Sequence, residues 1–313
     1  MADDRQSEDP GLDRASLRRD FDRAAATYDR AAVLQREVAQ RMAERLGIVR
    51  LEPAAILDAG CGTGEALGEL QARYPRARLV GLDLAYAMVQ AAQRRDLVLR
   101  TGARPLMRRL LGAFAAAARG HPALICGDVC RLPLGARSVD LVWSNLTLQW
   151  VDELPLAFSE FHRILSVGGL LTFTTFGPDT LRELRSAFAA ADQSAHVHRF
   201  LDMHDVGDML VHAGFADPVM DMELMTMTYA DAGALMRDLK AIGAQNARAD
   251  RRRGLTGRRQ WQTMLAALEE FRRDGRLPAS FEIIYGHAWK PESRLADDGR
   301  AIVRFDRGAR GRR

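Results

Sequence analysis

Residues 56–64 read Ile-Leu-Asp-Ala-Gly-Cys-Gly-Thr-Gly. A short apolar run gives way to three alternating glycines, the pattern of a strand, a tight turn and a helix start. Glycine lets the backbone take positive φ and pass close beneath a ligand. Asp83 ends the next apolar segment, 19 residues after Gly64. From there a carboxylate reaches a ribose hydroxyl pair in a doubly wound sheet.

Working outward, strands are predicted at 54–59, 78–82, 123–126, 139–144 and 170–176. Helices alternate with them at 65–74, 87–93 and 152–165, and Gly168-Gly169 reads as a turn. This rhythm implies a mainly parallel sheet with helices on both faces. Upstream, apolar positions from Phe21 to Leu46 predict one helix over 17–46, stopped by Gly47. Downstream, helices at 180–191, 204–213, 234–242 and 260–273 surround strands at 218–229 and 281–289, which suit an antiparallel pair at one sheet edge. The expected class is α/β: a Rossmann-like, mainly parallel seven-stranded sheet with an N-terminal helix and a helical insertion before the last strand. The expected organisation is a polar tail over 1–16, one domain over 17–291 and a basic tail over 292–313. Within the domain, 94–121 reads as a basic insertion and 230–279 as a helical one.

The 313 residues are 47% hydrophobic and 27% charged, ordinary for a globular chain. No apolar run approaches the ~18–20 residues that span a bilayer, so no membrane association is expected. The start, MADDRQSEDP, lacks the basic and apolar regions of a secretory signal. Three cysteines without CxxC spacing (Cys61, Cys126 and Cys130) fit a reducing cytoplasm better than a disulfide framework. His196 and His198 lie two apart with no third ligand in view, so no metal site is read. The net charge is +4, with seven arginines in 94–119 and six in 300–313. Such clusters, with the basic stretch 248–259, attract acidic partners. With no basic run interleaved with aromatics, nucleic acid is not expected among them.

The glycine spacing is G-x-G-x-G, not the G-x-G-x-x-G of dinucleotide sites. Asp58 precedes the glycines, and Glu65 stands where the dinucleotide motif has its third glycine. Two carboxylates repel a pyrophosphate but tolerate a ligand with an ammonium and a sulfonium, which S-adenosylmethionine (SAM) has. No P-loop motif occurs. Asp128 follows one predicted strand, where it could take an adenine amino group or cap a helix. Asn145 ends another strand at the same edge. The candidate cofactor set is Asp58, Gly60, Gly62, Gly64, Asp83, Leu84, Asp128, Val129 and Asn145. Gln149 and Trp150 are candidates for the wall beside the sulfonium, the ring offering cation–π attraction.

LDAGCGTG (57–64) and LDLAYAMV (82–89) resemble class I methyltransferases in general. More specific are FDRAAATYDRAAVLQREVAQRM (21–42), LTLQWVDELPLAFSEFHRIL (146–165), TFTTFGPDTLREL (172–184) and HRFLDMHDVGDMLVHAGF (198–215). LMRDLKAIGAQNA (235–247), GLTGRRQ (254–260) and FEIIYGHAWKP (281–291) agree with them. Together these blocks resemble the malonyl-[acyl-carrier protein] O-methyltransferases of biotin synthesis, from Phe21 to Pro291. The resemblance implies SAM as cofactor and methylation of the free carboxylate of a malonyl thioester, on a carrier protein or coenzyme A. It also implies that the helix bearing Tyr28 packs over the methyl-donor pocket, with Tyr28 positioning the substrate. A carboxylate of reference pKa ~4 is ionised at neutral pH, so no general base is expected. The FGPDTL-like block also resembles respiratory complex I assembly factors, which share the fold and act on a protein arginine.

Overall fold

The computed structural model describes residues 11–101, 121–251, 254 and 256–292, with residues 97–101 described by backbone alone. Seven strands form one sheet in the order β3-β2-β1-β4-β5-β7-β6. They are β1 (Ala55–Ala59), β2 (Arg78–Asp83), β3 (Ala123–Cys126), β4 (Val139–Ser144), β5 (Leu165–Phe176), β6 (Ala216–Tyr229) and β7 (Leu277–Trp289). The first five pair in parallel, and β7 is antiparallel to both β5 and β6.

Strand β1 is buried along its whole length, as a central strand covered on both faces must be. Its alternation sends Ile56 to one face with Leu141, Leu170, Val38 and Met42. Leu57 points to the other face with Val142, Leu171, Phe158 and Phe161. The helices flanking β1 and β2 are α4 (Glu65–Arg73) and α5 (Tyr86–Thr101); α6 (Leu154–Ile164) precedes β5. Between β5 and β6 lie α7 (Arg182–Ala189) and α8 (Met203–His212), and between β6 and β7 lie α9 (Ala232–Ala241) and α10 (Arg258–Glu269).

The expected long N-terminal helix is three pieces: α1 (Arg14–Ala24), α2 (Tyr28–Ala31) and α3 (Val33–Leu46). The Thr27 hydroxyl donates to Ala24 O at 3.2 Å and to Ala241 O, at the end of α9, at 3.1 Å. A second break follows at Ala32, whose ψ of 45° is not helical. The expected tail over 1–16 also ends early. Asp13 caps α1 by accepting from Ser16 N at 3.0 Å, and Leu12 bridges Arg248. Gly168-Gly169 lies inside β5 rather than before it. There Gly168 N donates to Lys290 O at 2.8 Å and Lys290 N to Gly169 O at 2.9 Å, while the register against β4 shifts between Val139 and Leu141. Helix α5 runs on to Thr101, well past Gln93. Most of the 94–121 stretch and the segment from 293 onward lie outside the described residues.

Candidate active site

A cleft of about 290 Å³ opens at the carboxyl ends of β1 to β4, where open α/β sheets bind ligands. Each strand contributes its following turn: Gly60 and Gly62, then Asp83 and Leu84, then Asp128 and Val129, then Asn145. Phe21 of α1, Tyr28 of α2 and Trp150 complete the wall.

Gly60 and Gly62 both have positive φ, +84° and +51°. Gly60 N donates to Leu82 O at 2.7 Å, and Gly62 N donates to Asp83 Oδ2 at 2.9 Å. A Cβ on Gly60 would lie 2.0 Å from Thr147 Oγ1, whereas one on Gly62 would meet only Tyr28 Cε1, at 3.9 Å. The Gly62 position is therefore open on its cleft side. Gly64, expected at the ligand, does not line the cleft. It precedes α4, and a Cβ there would lie 2.9 Å from Ala92 Cβ of α5, so this glycine serves helix packing.

Asp83 accepts from Gly62 N and, at 2.8 Å, from Ala85 N. Burial pushes its pKa up to about 6, those two N–H groups hold it down, and Asp22 adds to the rise. Asp58 is 2% exposed and is pushed up to about 8, by burial first and then by the charge of Asp83. Its Oδ2 has no hydrogen-bond partner among the described residues. It borders a neighbouring cavity of about 340 Å³ that shares Tyr28, Gly60, Gly62 and Asn145 with the cleft, so it backs the glycine turn rather than lining the cleft itself.

The raised Asp58 pKa has a testable sign. An ordinary aspartate has a pKa of ~3.9, so the folded protein holds a proton that the unfolded chain releases. The group therefore lowers stability progressively as pH rises from about 4 through about 8. Asp58→Asn removes this titration, so the fall in melting temperature between pH 5.5 and 8.5 should be smaller than in the wild type. Equal slopes in the two proteins would refute the assignment.

Asp128 caps a turn, not a helix, and carries an ion pair. Its Oδ1 accepts from Cys130 N at 2.9 Å, and its Oδ2 pairs with the guanidinium of Arg14 in α1. Burial alone would raise its pKa; the Arg14 and Cys130 contacts outweigh that and hold it below the usual range. Asn145 is committed to the protein. Its Nδ2 donates to Gln35 O at 3.0 Å and its Oδ1 accepts from Thr174 Oγ1 at 2.8 Å, tying α3 to β4 and β5.

Sequence reasoning missed the strap that crosses the cleft. Leu12 N reaches both carboxylate oxygens of Asp152 at 3.0 Å, Arg14 reaches Asp128, and Arg251 pairs with Asp13 at 3.0 Å. Every contact is remote in sequence, and with the helix start placed at Leu17 the strap carried no local signal. Asp29 was missed likewise: it accepts from Thr63 Oγ1 at 2.6 Å and pairs with Arg95 at 2.7 Å, fastening α2 to the glycine turn and α5.

Tyr28 is half-buried. Burial raises its pKa, and Asp83, Glu65 and Asp29 raise it further, so its hydroxyl stays a neutral donor. Trp150 meets Phe21 edge-on at 5.5 Å and His198 at 5.2 Å. It divides the cleft from a second pocket of about 80 Å³, which Tyr28 also lines. Gln149 lines this second pocket and not the cleft, because its Nε2 donates to Leu146 O at 2.6 Å. His196 is held by Asp192 at 2.8 Å. Among the described residues no group of three His, Cys, Asp or Glu side chains could hold a metal ion, and no helix is long and apolar enough to cross a membrane.

Strand order, glycine turn and cleft define a methyltransferase domain, and the family model described as "Methyltransferase domain" matches residues 57–173. The YcgJ protein from Bacillus subtilis superposes with a TM-score of 0.54 at 13% identity, over 80% of this chain and 98% of its own, which supports the fold alone. Malonyl-[acyl-carrier protein] O-methyltransferase from Laribacter hongkongensis is 55% identical over 94% of this chain and 96% of its own length. The protein of the same name from Methylovorus is 52% identical over 94% and 95%. The chain belongs to the malonyl-[acyl-carrier protein] O-methyltransferase family. It is a SAM-dependent O-methyltransferase. These relatives do not support the assembly-factor alternative.

Proposed function

We propose that the protein methylates the free carboxylate of a malonyl thioester carried on acyl-carrier protein, a step of biotin synthesis. The observation that carries this reading is identity above one half along nearly the full length of relatives bearing that name. Coenzyme A is the alternative carrier of the same thioester. The three free cysteines suit a cytoplasmic enzyme, and neither nucleic acid nor membrane takes part in this reading.

The cleft residues suit SAM. Asp83 offers an acceptor for ribose hydroxyls, Asp128 one for an amino group, and Gly62 leaves space where a side chain would intrude. Leu84, Val129 and Asn145 complete the surface, and Asp58 stands behind the turn, holding its proton near neutral pH. Bound there, SAM supplies an electrophilic methyl group on a sulfonium. The chain's own task is to bring the carboxylate into line and keep water out, because alignment supplies most of the rate for a nucleophile that is already ionised. Tyr28 borders both the cleft and the second pocket, and its neutral hydroxyl can donate to the carboxylate without proton transfer. Trp150 and Phe21 close the junction against solvent. The ester product is uncharged, so a later apolar pocket can accept it.

Arginine clusters were the expected docking surface for an acidic carrier. Arg251 is already paired with Asp13 and donates to Ser16 Oγ at 3.2 Å. Arg104, Arg108, Arg109, Arg252 and Arg253 lie outside the described residues.

The direct test is purified protein with SAM and malonyl-carrier protein, followed by intact mass for the gain of one methyl. Acetyl thioester should be inert. Succinyl thioester should be poor, because a displacement of ~1 Å can cost ~100-fold. No mass gain on malonyl thioesters would refute the reading. Tyr28→Phe should keep SAM affinity and lose one hydrogen bond to a charged group, ~1.5–3 kcal/mol or roughly 10–150-fold in kcat/KM. An unchanged kcat/KM would dismiss the donor role.

A further inference from the structure

The second pocket contains an unsatisfied polar pair. Gln35 and Gln149 both line it, and the side-chain carbonyl oxygen of each is buried with no hydrogen-bond partner among the described residues. The orientation of Gln149 is fixed, because its Nε2 donates to Leu146 O at 2.6 Å; the opposite end of the amide must be the oxygen. A buried acceptor without a donor costs about 1–3 kcal/mol, a cost that a ligand bearing N–H groups removes.

The rest of the wall narrows the ligand. Among the described residues, no lysine, arginine, aspartate or glutamate lines this pocket. The Thr180 hydroxyl is occupied, donating to Glu282 O at 3.2 Å and accepting from Glu282 N at 3.1 Å. His196 is held by Asp192 and stacked on Phe188, ring centroids 3.9 Å apart. His198 Nε2 accepts from Ala247 N at 3.2 Å. Phe176, Phe200 and Phe281 supply apolar surface. Two bare carbonyl oxygens repel an anion, so a carboxylate is disfavoured here and favoured at the Tyr28 junction. An uncharged chain with amide N–H groups suits both the oxygens and the rings.

We propose that the second pocket takes the thioester arm of the substrate, and that Gln149 and Gln35 select it by accepting from its secondary-amide N–H groups. The inference rests on the malonyl-thioester reading and deepens it, since the amide arm is common to carrier-protein and coenzyme A thioesters. It also orients the substrate, with the acid end at Tyr28 and the sulfur end beyond Trp150.

The test is a pair of small substrates: malonyl N-acetylcysteamine thioester, and the isostere in which the amide N–H is replaced by an ester oxygen. The wild-type enzyme should favour the amide by about 10-fold or more in kcat/KM, the discrimination of a site built to hydrogen-bond an absent donor. Gln149→Leu or Gln35→Leu should shrink that ratio toward one, and each variant that does so should weaken malonyl-coenzyme A and malonyl-carrier protein alike. Equal wild-type use of amide and ester would overturn the proposal without any variant. So would a ratio unchanged in both variants, which would leave the glutamines structural or water-bound. Calorimetric binding of the two thioesters in the absence of SAM separates the readings. Amide preference in binding without methylation would sink the reaction and keep the pocket; methylation without amide preference would do the reverse.

Discussion

Gly60→Ala should be the most damaging single methyl in the site, lowering the melting temperature by roughly 5–15 °C and abolishing measurable SAM binding. Two penalties add. At φ +84° an L-residue pays roughly 1–2 kcal/mol for left-handed backbone. The new Cβ would also lie 2.0, 2.4 and 2.7 Å from Thr147 Oγ1, Cγ2 and Cβ, and overpacking of this kind costs about 1–3 kcal/mol. Thr147 cannot turn aside freely. It is β-branched, its hydroxyl donates to Asn145 O at 3.1 Å, and it starts the turn Leu148–Trp150. Displacing it moves Trp150 and the wall between the two pockets. Gly62→Ala makes the contrast, since its Cβ meets only Tyr28 Cε1 at 3.9 Å. That variant should fold with only the backbone strain and lose chiefly SAM affinity. Thr147→Gly, placed in the Gly60→Ala background, should restore part of the lost melting temperature. If Gly60→Ala and Gly62→Ala melt alike, the contact with Thr147 is not what demands glycine.

The same turn shows what can be read in a sequence. Its glycines, and Asp83 at the next strand end, were legible because strand, turn and carboxylate lie within one βαβ unit, where local spacing determines geometry. Which glycine does what was not legible. Gly64 meets Ala92 and Gly60 meets Thr147, residues from other elements that spacing cannot foretell. The N-terminal helix read as continuous because its apolar period is unbroken and no glycine or proline interrupts it. At the break the Thr27 hydroxyl donates to the Ala241 carbonyl, a tertiary contact of the kind that overrides local preference. That break matters to the site, because it separates α1, which carries Arg14 to Asp128, from α2, which sets Tyr28 at the junction. Gln149 was placed beside the sulfonium because, like Trp150, it follows the strand end at Asn145. In the 3-10 turn Leu148–Trp150 adjacent side chains diverge, so Trp150 borders both cavities while Gln149 borders only the second.

Asp83→Ala should weaken SAM by roughly 10–150-fold, the loss of a charge-assisted hydrogen bond worth ~1.5–3 kcal/mol. The carboxylate works in two directions at once. Toward the protein it accepts from Gly62 N at 2.9 Å and Ala85 N at 2.8 Å, so removing it leaves two backbone donors unpaired and loosens the glycine turn. Toward the cleft, which it lines, each oxygen keeps acceptor capacity that a ligand hydroxyl could use. The pH dependence separates these roles. Burial lifts the Asp83 pKa to about 6 in the free protein, so near pH 5 much of it is protonated. A ligand with hydroxyl donors and positive charge prefers the ionised form, and its binding therefore expels a proton. SAM affinity should fall as pH drops below about 6, approaching tenfold per unit where the protonated form dominates. Asp83→Asn keeps the shape, cannot ionise, and should bind weakly with little dependence on pH over this range. Calorimetry at pH 5, 6.5 and 8 in buffers of different ionisation enthalpy reads both affinity and proton release. Wild-type affinity that is flat across that range, with no proton released, would mean that Asp83 does not receive the ligand, however well it holds the turn.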